Sequence, residues 1–253
     1  DRYDAINWLA YDHATNKNSY DVVVKGLSDP FWVIRQFAVD TIRMDANTPV
    51  SVQNKLKEMA MNDPRSYVRS TAIMRLGEIP DIDLTQVLNK TLQDSSYTVV
   101  SSALNMLFIT DSIKAVQEAR GFLDEENITL MMSVWDIVSR AGDSKDNDYF
   151  LSLFDKYDDW KVYYVMIYYL TYLQNQEDSY IINKGVDEFK KMAIESAEDW
   201  YGMFASSYLT GLKEYYVSAM SAQSPATQTQ WNIAINYIDK ALSEIPSLYG
   251  GDY

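Results

Sequence analysis

Residues that could do chemistry are few in this chain of 253 residues. It has one histidine, His13, and no cysteine, which excludes disulfides, thiolate chemistry and cysteine metal sites. A zinc peptidase motif of the H-E-x-x-H type needs two histidines. No serine stands in a G-x-S-x-G frame, the turn that exposes many nucleophilic serines. We therefore expect no catalytic, cofactor-binding or metal-binding residue in this chain.

Two acidic segments resemble calcium-binding loops in composition only. In "DSKDND", residues 143–148, the third position from Asp143 is Lys145, and the sixth position lacks the glycine of an EF-hand loop. "DKYDDW", residues 155–160, is followed directly by Lys161, where a further ligand would be needed. We interpret both segments as solvated loops.

Aromatic residues are the remaining chemical signal, with 20 tyrosines and 6 tryptophans. The tyrosines of "VYYVMIYYLTYL", residues 162–173, would spread around a helix and not form one stripe. Core packing explains most of them, but some must reach a surface or a groove. A groove lined by aromatic residues suits a peptide or a protein partner. Our candidates for its wall are Trp160, Tyr164, Trp200 and Tyr201.

Charge and composition narrow the partner classes. The net charge is −14 and the sequence pI about 4.4, so nucleic acid and anionic membranes are poor partners. The acidity fits either solvated helix faces or a basic or neutral partner. Hydrophobic residues make up 47% of the chain, while glycine and proline number 9 and 6, which favours a helical fold. No apolar run has the length of a membrane span.

A sequence motif that recurs along the chain indicates the architecture. "DPFWVIRQFA" begins at Asp29, and "DPRSYVRSTA" begins at Asp63 with Asp, Pro, Arg and Ala at the same offsets. The same Arg-x-x-Ala element opens the chain at Arg2, and a fourth copy keeps the alanine but has Val100 in place of arginine. A helix pair recurring every 31–34 residues is typical of an α-solenoid.

Local signals place the helices of each pair. Aspartate followed by proline predicts an N-cap and a first helical position, at Asp29 and at Asp63. Apolar residues three and four apart predict second helices over 52–61 and 84–93. About seven helix pairs fit into the chain. Residues 222–230, "AQSPATQTQ", are predicted to be a polar linker.

The repeat resembles HEAT repeats, on Asp29, Pro30, Val33, Arg35, Ala38 and Ile42 and on Asp63, Pro64, Val68, Arg69, Ala72 and Leu76. The resemblance implies an all-α fold, a HEAT- or armadillo-like α–α superhelix of about seven helix pairs. It also implies a structural ladder between neighbouring repeats, formed by Asp29, Arg35, Asp63, Arg69 and Asp94. We predict a single domain over 1–253, with clear repeats over 1–124. Degenerate, aromatic-rich repeats and a C-terminal cap follow over 125–253.

The chain opens inside a repeat. If Arg2 occupies the position of Arg35, its capping aspartate would precede the first residue, so we expect a C-terminal fragment of a longer protein. Units such as "DRYDAINWL" and "DPFWVIRQFAVDTI" resemble the C-terminal helical domain of bacterial zinc aminopeptidases of the aminopeptidase N family. The resemblance implies a lid that limits peptide access to zinc held by a catalytic domain outside this chain. The zinc ligands of that family have no counterpart here.

The alternative hypothesis is a HEAT-repeat scaffold that binds another protein with no enzyme attached. A third, a HEAT-like accessory of bilin attachment, has no specific support. The expected partners are accordingly a peptide substrate, the catalytic domain of the parent protein or another protein. The compartment stays open between export and the cytoplasm, and the aminopeptidase resemblance favours export. A zincin motif upstream would support the lid, and further repeats upstream would support the scaffold.

Overall fold

A computed structural model describes residues 2–10, 16–196 and 200–246. These residues form fourteen α-helices and contain no strand, which confirms the predicted all-α class of about seven helix pairs. The helices are α1 Arg2–Ala10, α2 Lys17–Gly26, α3 Trp32–Thr41, α4 Val50–Asn62, α5 Ser66–Leu76, α6 Thr85–Thr91, α7 Tyr97–Thr110, α8 Ser112–Ala119, α9 Ile128–Ala141, α10 Asn147–Lys156, α11 Lys161–Gln174, α12 Ser179–Glu195, α13 Trp200–Ala219 and α14 Pro225–Glu244. His13 lies outside the described residues.

The chain divides into two compact units, which we name unit 1 (Asp1–Val134) and unit 2 (Trp135–Tyr253). The division falls within α9 and lies ten residues beyond the predicted end of the clear repeats at residue 124. The prediction of one domain over 1–253 stays a prediction.

Unit 1 stacks its helix pairs in sequence order. The first helices of successive pairs contact one another, α1 with α3, α3 with α5 and α5 with α7, and the second helix α4 contacts α6. The repeated alanine and the apolar residue four positions later are buried in each stack, because they lie on one face of the first helix. These residues are Ala38, Ile42, Ala72, Leu76, Ala103 and Leu107. The small alanine side chains allow neighbouring helices to approach closely.

The aspartates of the repeat do not cap the helices as predicted. The N-cap of α3 is Phe31 and that of α5 is Arg65, so each aspartate lies two residues before the cap and the proline lies in the turn. Asp29 Oδ1 accepts the backbone N–H of Phe31 at 2.8 Å, and Asp63 Oδ1 accepts that of Arg65 at 2.9 Å. The aspartates thus close an Asx turn ahead of the helix, and their carboxylates can still accept hydrogen bonds from another repeat.

A row of arginines and aspartates joins neighbouring helix pairs. Arg35 donates from Nε and Nη2 to the carboxylate oxygens of Asp63, at 2.7 and 2.8 Å, and from Nη1 to the carbonyl of Asp29 at 2.9 Å. Arg69 repeats the arrangement with both oxygens of Asp94, each at 2.8 Å, and with the carbonyl of Asp63 at 2.7 Å. Each arginine therefore ties the start of its own helix pair to the start of the next.

The row has a weaker member at each end. Arg2 Nη1 lies 3.2 Å from Asp29 Oδ2, but the Arg2 side chain is 63% exposed. At the other end, Glu125 stands 31 residues after Asp94 and accepts the N–H of Asn127 at 3.1 Å, as the aspartates do in their turns. Val100 replaces the arginine that would reach it, so the pattern of ion pairs ends there.

A second set of polar contacts connects the same first helices. Ser70 and Ser102 share a hydroxyl hydrogen bond of 2.7 Å between α5 and α7. Arg75, on α5, donates from Nη2 to the carbonyl of Ile42 at 2.7 Å and thereby satisfies a carbonyl at the end of α3. These contacts replace water at groups that stacking would otherwise leave unpaired.

Unit 2 is built around aromatic side chains. Four of them form one buried cluster: Phe150, Tyr169, Tyr172 and Phe189. The hydroxyl of Tyr169 donates to Asn147 Oδ1 at 2.9 Å, and that of Tyr172 to the carbonyl of Asp143 at 2.8 Å. Burial raises the pKa of Tyr169, so both its ring and its hydroxyl serve the core as neutral groups. Two of the tyrosines of α11 are thus part of the core.

The predicted polar linker over 222–230 is wrong. Helix α14 begins at Pro225, and Ser224 is its N-cap, accepting the N–H of Thr227 at 3.2 Å. Proline suits the first turn of a helix because the N–H that it lacks would have no intrahelical partner. The serine and proline that indicated a linker are therefore the start signal of the helix.

Replacing two helical glycines of unit 2 by alanine should have opposite effects on stability. A Cβ at Gly185 would lie 2.4 Å from a Leu173 methyl carbon and 3.0 Å from the Tyr169 hydroxyl, both in buried side chains, whereas a Cβ at Gly211 would meet nothing within 4 Å. We expect Gly185→Ala to lower the free energy of unfolding by about 1–2 kcal/mol, since overpacking outweighs helix propensity. Gly211→Ala should raise it by up to about 1 kcal/mol. Urea unfolding of the two variants tests this, and a gain at Gly185 would contradict the close packing of α11 on α12.

Candidate binding pocket

A pocket of about 480 Å³ opens on unit 2 where α10 and α12 end and where α11 and α13 begin. Its floor is apolar, with Val162 and Met192 buried beneath it. Five aromatic side chains line it: Phe154, Tyr157, Trp160, Trp200 and Tyr201. Two of these are largely open to solvent, since Trp160 is 52% and Trp200 is 45% exposed. Large exposed apolar side chains beside an apolar floor are typical of binding sites, because a stable core would bury them.

Three of the four candidate groove residues, Trp160, Trp200 and Tyr201, line this pocket. The fourth, Tyr164, lies against it, with its ring 5.6 Å from that of Trp160 in an edge-to-face contact. The same helix carries Tyr163, whose ring lies 5.8 Å from Trp200. Tyr163 and Tyr164 of α11 thus support tryptophans of the pocket, whereas Tyr169 and Tyr172 lie in the core.

The pocket wall is anchored in the core of unit 2. Phe154 lines the pocket and also packs edge-to-face on Tyr169 and Phe189, at 5.6 and 6.3 Å between centroids. Trp200 rests against Phe204 at 5.8 Å. A wall held in this way is preformed, so a ligand need not order it on binding.

Carboxylates dominate the charge of the pocket. Asp158, Asp159, Glu188 and Glu195 line it together with one lysine, Lys191. Burial raises the pKa of Glu188, and Asp155 and Glu195 add to the rise, although Lys191, 3.5 Å away, opposes it. The raised pKa therefore reflects mainly the burial of Glu188 among apolar side chains, to which the neighbouring carboxylates add less.

Helix termini add little to this balance. Two helices direct their negative C-terminal ends toward the pocket and two direct their positive N-terminal ends, so the dipoles largely cancel. Sequence reasoning had pointed to aromatic residues but missed Glu188 and Glu195. The spacing of seven residues that puts them on one face of α12 is visible in the sequence, but that α12 meets the loop at residues 157–160 is not.

The two acidic segments have different environments. Residues 155–160 supply the end of α10 and three exposed pocket residues, Asp158, Asp159 and Trp160. The interpretation of residues 143–148 as a solvated loop is wrong in part, because Asp146 and Asn147 are buried. Asp143 and Asp146 form a reciprocal capping box around the 3-10 turn Ser144–Asp146, which leads directly into α10. No group of three or more His, Asp or Glu side chains within the described ranges is arranged to hold a metal ion.

Comparison with known families agrees with the stacking of unit 1. Residues 20–109 and 53–135 each match HEAT repeats. The segment 20–135 contains HEAT-like repeats. These repeats cover α2 to α8 and the first half of α9, including the arginine–aspartate row from Asp29 to Asp94. No curated protein matches the chain significantly. Among the helices that the structure describes, none has both the length and the apolar character needed to cross a bilayer.

Proposed function

We propose that this chain is a non-catalytic helical repeat scaffold that binds a polypeptide partner, and that the pocket of unit 2 is a contact site. The observation that carries the proposal is the pair of exposed indoles, Trp160 and Trp200, over a preformed apolar floor. Tryptophan is enriched among residues that dominate binding energy, because it buries a large rigid surface at little entropic cost.

The HEAT-like repeats of unit 1 support a scaffold. Each helix pair buries its apolar face against its neighbours, so the remaining surface is free for partners. The row of ion pairs stabilises this stack and needs no ligand to explain it. Binding, and not catalysis, is therefore the activity that best fits these residues.

A selection with random peptides displayed on phage tests the proposal without a known partner. The bait is the whole chain, and the matched control is Trp160→Ala/Trp200→Ala, which removes exposed rings and should leave the fold intact by circular dichroism. We expect peptides enriched on the wild-type chain to bind the double variant at least tenfold more weakly. If no enriched peptide depends on the two indoles, the pocket is not a polypeptide site and the proposal fails.

A finer proposal makes the scaffold the lid of a zinc aminopeptidase. It rests on the resemblance of the repeat units, and an acidic aromatic pocket suits the passage of peptides, but the comparisons link the chain to HEAT repeats and not to aminopeptidases. The test is the parent protein with and without residues 1–253, assayed on aminoacyl fluorogenic substrates with zinc quantified. Zinc-dependent cleavage that changes in rate or length preference on deletion would support the lid. If the intact parent protein holds no zinc and cleaves no substrate, the lid proposal fails and the scaffold proposal stands without it.

A further inference from the structure

We propose that the pocket of unit 2 selects a basic side chain, lysine or arginine, of the polypeptide that binds there. This inference rests on the proposed function, because it names what the contact site recognises. It is carried by two arrangements in the same pocket: within the described residues, two of the carboxylates have no partner cation and the two indole faces have no cation above them.

Two of the four carboxylates lack an ion-pair partner among the residues that the structure describes. Glu188 is paired with Lys191 at 3.5 Å, and Asp159 with Lys161 at 3.6 Å. Asp158 and Glu195 also line the pocket, and neither has an ion-pair partner in the part of the chain that the structure describes. A cation entering the pocket would meet negative charge that these lysines do not neutralise.

The aromatic wall adds a second attraction for a cation. The faces of indole rings attract ammonium and guanidinium groups through the ring quadrupole, and tryptophan does so most strongly. Tyr157 already uses this interaction within the chain, since Lys161 Nζ lies 4.7 Å and Lys156 Nζ 5.3 Å from its centroid. No cation lies over Trp160 or Trp200 among the described residues. Both indoles are open to solvent, and both line the same pocket as Asp158 and Glu195.

The unit that holds the pocket has a matching long-range charge. Residues 135–253 contain nine Lys and Arg against eighteen Asp and Glu, twice as many acidic as basic residues. Such a surface attracts basic segments over about one Debye length and repels acidic ones. The apolar floor then suits the aliphatic stem that carries a lysine or arginine head. A free inorganic cation would use the carboxylates but leave the floor and the indoles without a role.

Capped peptides of about ten residues test the inference on the whole chain. One peptide carries two central lysines in a glycine–serine background, and matched peptides carry norleucine or glutamate instead. We expect calorimetry or tryptophan fluorescence to show the lysine peptide binding at least tenfold more tightly than the norleucine peptide, and more weakly as salt rises. The glutamate peptide should not bind. Asp158→Asn/Glu195→Gln should remove most of this preference and leave norleucine binding unchanged.

The control variant is Asp124→Asn/Glu214→Gln, which makes the same charge change at exposed residues outside the pocket. It should retain the preference for lysine. Equal binding of the lysine and norleucine peptides would overturn the inference, while the proposed function would stand if both depend on Trp160 and Trp200. Peptides selected on the pocket without basic residues would overturn it in the same way. If spermidine saturates the pocket but no lysine peptide binds, the claim that the pocket recognises a polypeptide is overturned.

Discussion

Asp63→Ala should lower the free energy of unfolding of the HEAT-like repeats by about 3–5 kcal/mol, the cost of removing one partner of a buried ion pair. The Asp63 side chain is 4% exposed and that of Arg35 is 14% exposed. The substitution leaves the largely buried Arg35 guanidinium without the carboxylate that accepts its two hydrogen bonds, and it also opens the turn before α5. Hydrogen exchange measured by mass spectrometry should show α3 and α5 losing protection together, because the row joins their pairs.

Asp29→Ala is the matched control within the same row. It removes the same kind of turn, but the arginine left behind, Arg2, is mostly exposed and can recover water. Since exposed ion pairs contribute about 0–1 kcal/mol and the turn hydrogen bond about 1 kcal/mol, the loss should be only about 1–2 kcal/mol. Equal losses for the two variants would show that the turns, and not the buried charge pair, account for the effect.

Acid should reduce the contribution of Asp63. Burial alone would raise the pKa of Asp63, but hydrogen bonds from Arg35 and from the Arg65 N–H outweigh burial and lower it. A carboxyl group with a lowered pKa contributes stability above its unfolded value, about 3.9, and that stability is lost as the pH falls below it toward the folded value. The difference in free energy of unfolding between the wild-type chain and Asp63→Ala should therefore become smaller below about pH 4.

The repeats could be predicted because their code is local and recurs. Arginine, alanine and an apolar residue at fixed offsets indicate a helix face, and the recurrence every 31–34 residues indicates stacking. The role of the aspartates as N-caps was predicted wrongly for a physical reason. Each carboxylate closes a turn and also holds an arginine from the preceding repeat, a contact between residues 28 apart for Arg35 and Asp63. The sequence spacing of one repeat alone does not show that second contact.

The pocket was less accessible from sequence. The excess of tyrosines on α11 indicated that some aromatic residues must leave the core, and Trp160 directly precedes that helix, whereas Trp200 begins α13. The carboxylates of α12 carry no such signal, because Glu188 and Glu195 look like the solvated face of any acidic helix. Only the packing of α12 beside the loop at 157–160 makes them part of a site.

Phe189→Ala should lower the free energy of unfolding of unit 2 by about 3–5 kcal/mol, the range for deleting a large buried side chain. Phe189 is fully buried and its ring contacts those of Phe154, Tyr169 and Tyr208, at 6.3, 5.8 and 6.0 Å. The cavity left behind is bounded by rings that cannot collapse without breaking the hydrogen bond of Tyr169 to Asn147. Urea unfolding followed by near-ultraviolet circular dichroism would measure the loss.

Phe204→Ala separates burial from aromatic contact. Phe204 also contacts three rings, those of Tyr163, Trp200 and Tyr208, but it is 40% exposed. We expect a loss of no more than about 1.5 kcal/mol there, because water already covers part of the ring and little cavity forms. A loss as large as that of Phe189→Ala would mean that ring contacts at the surface hold unit 2 together. The smaller loss would mean that the pocket wall is stabilised mainly by the core beneath it. Phe154 belongs to both, because it lines the pocket and packs on the core.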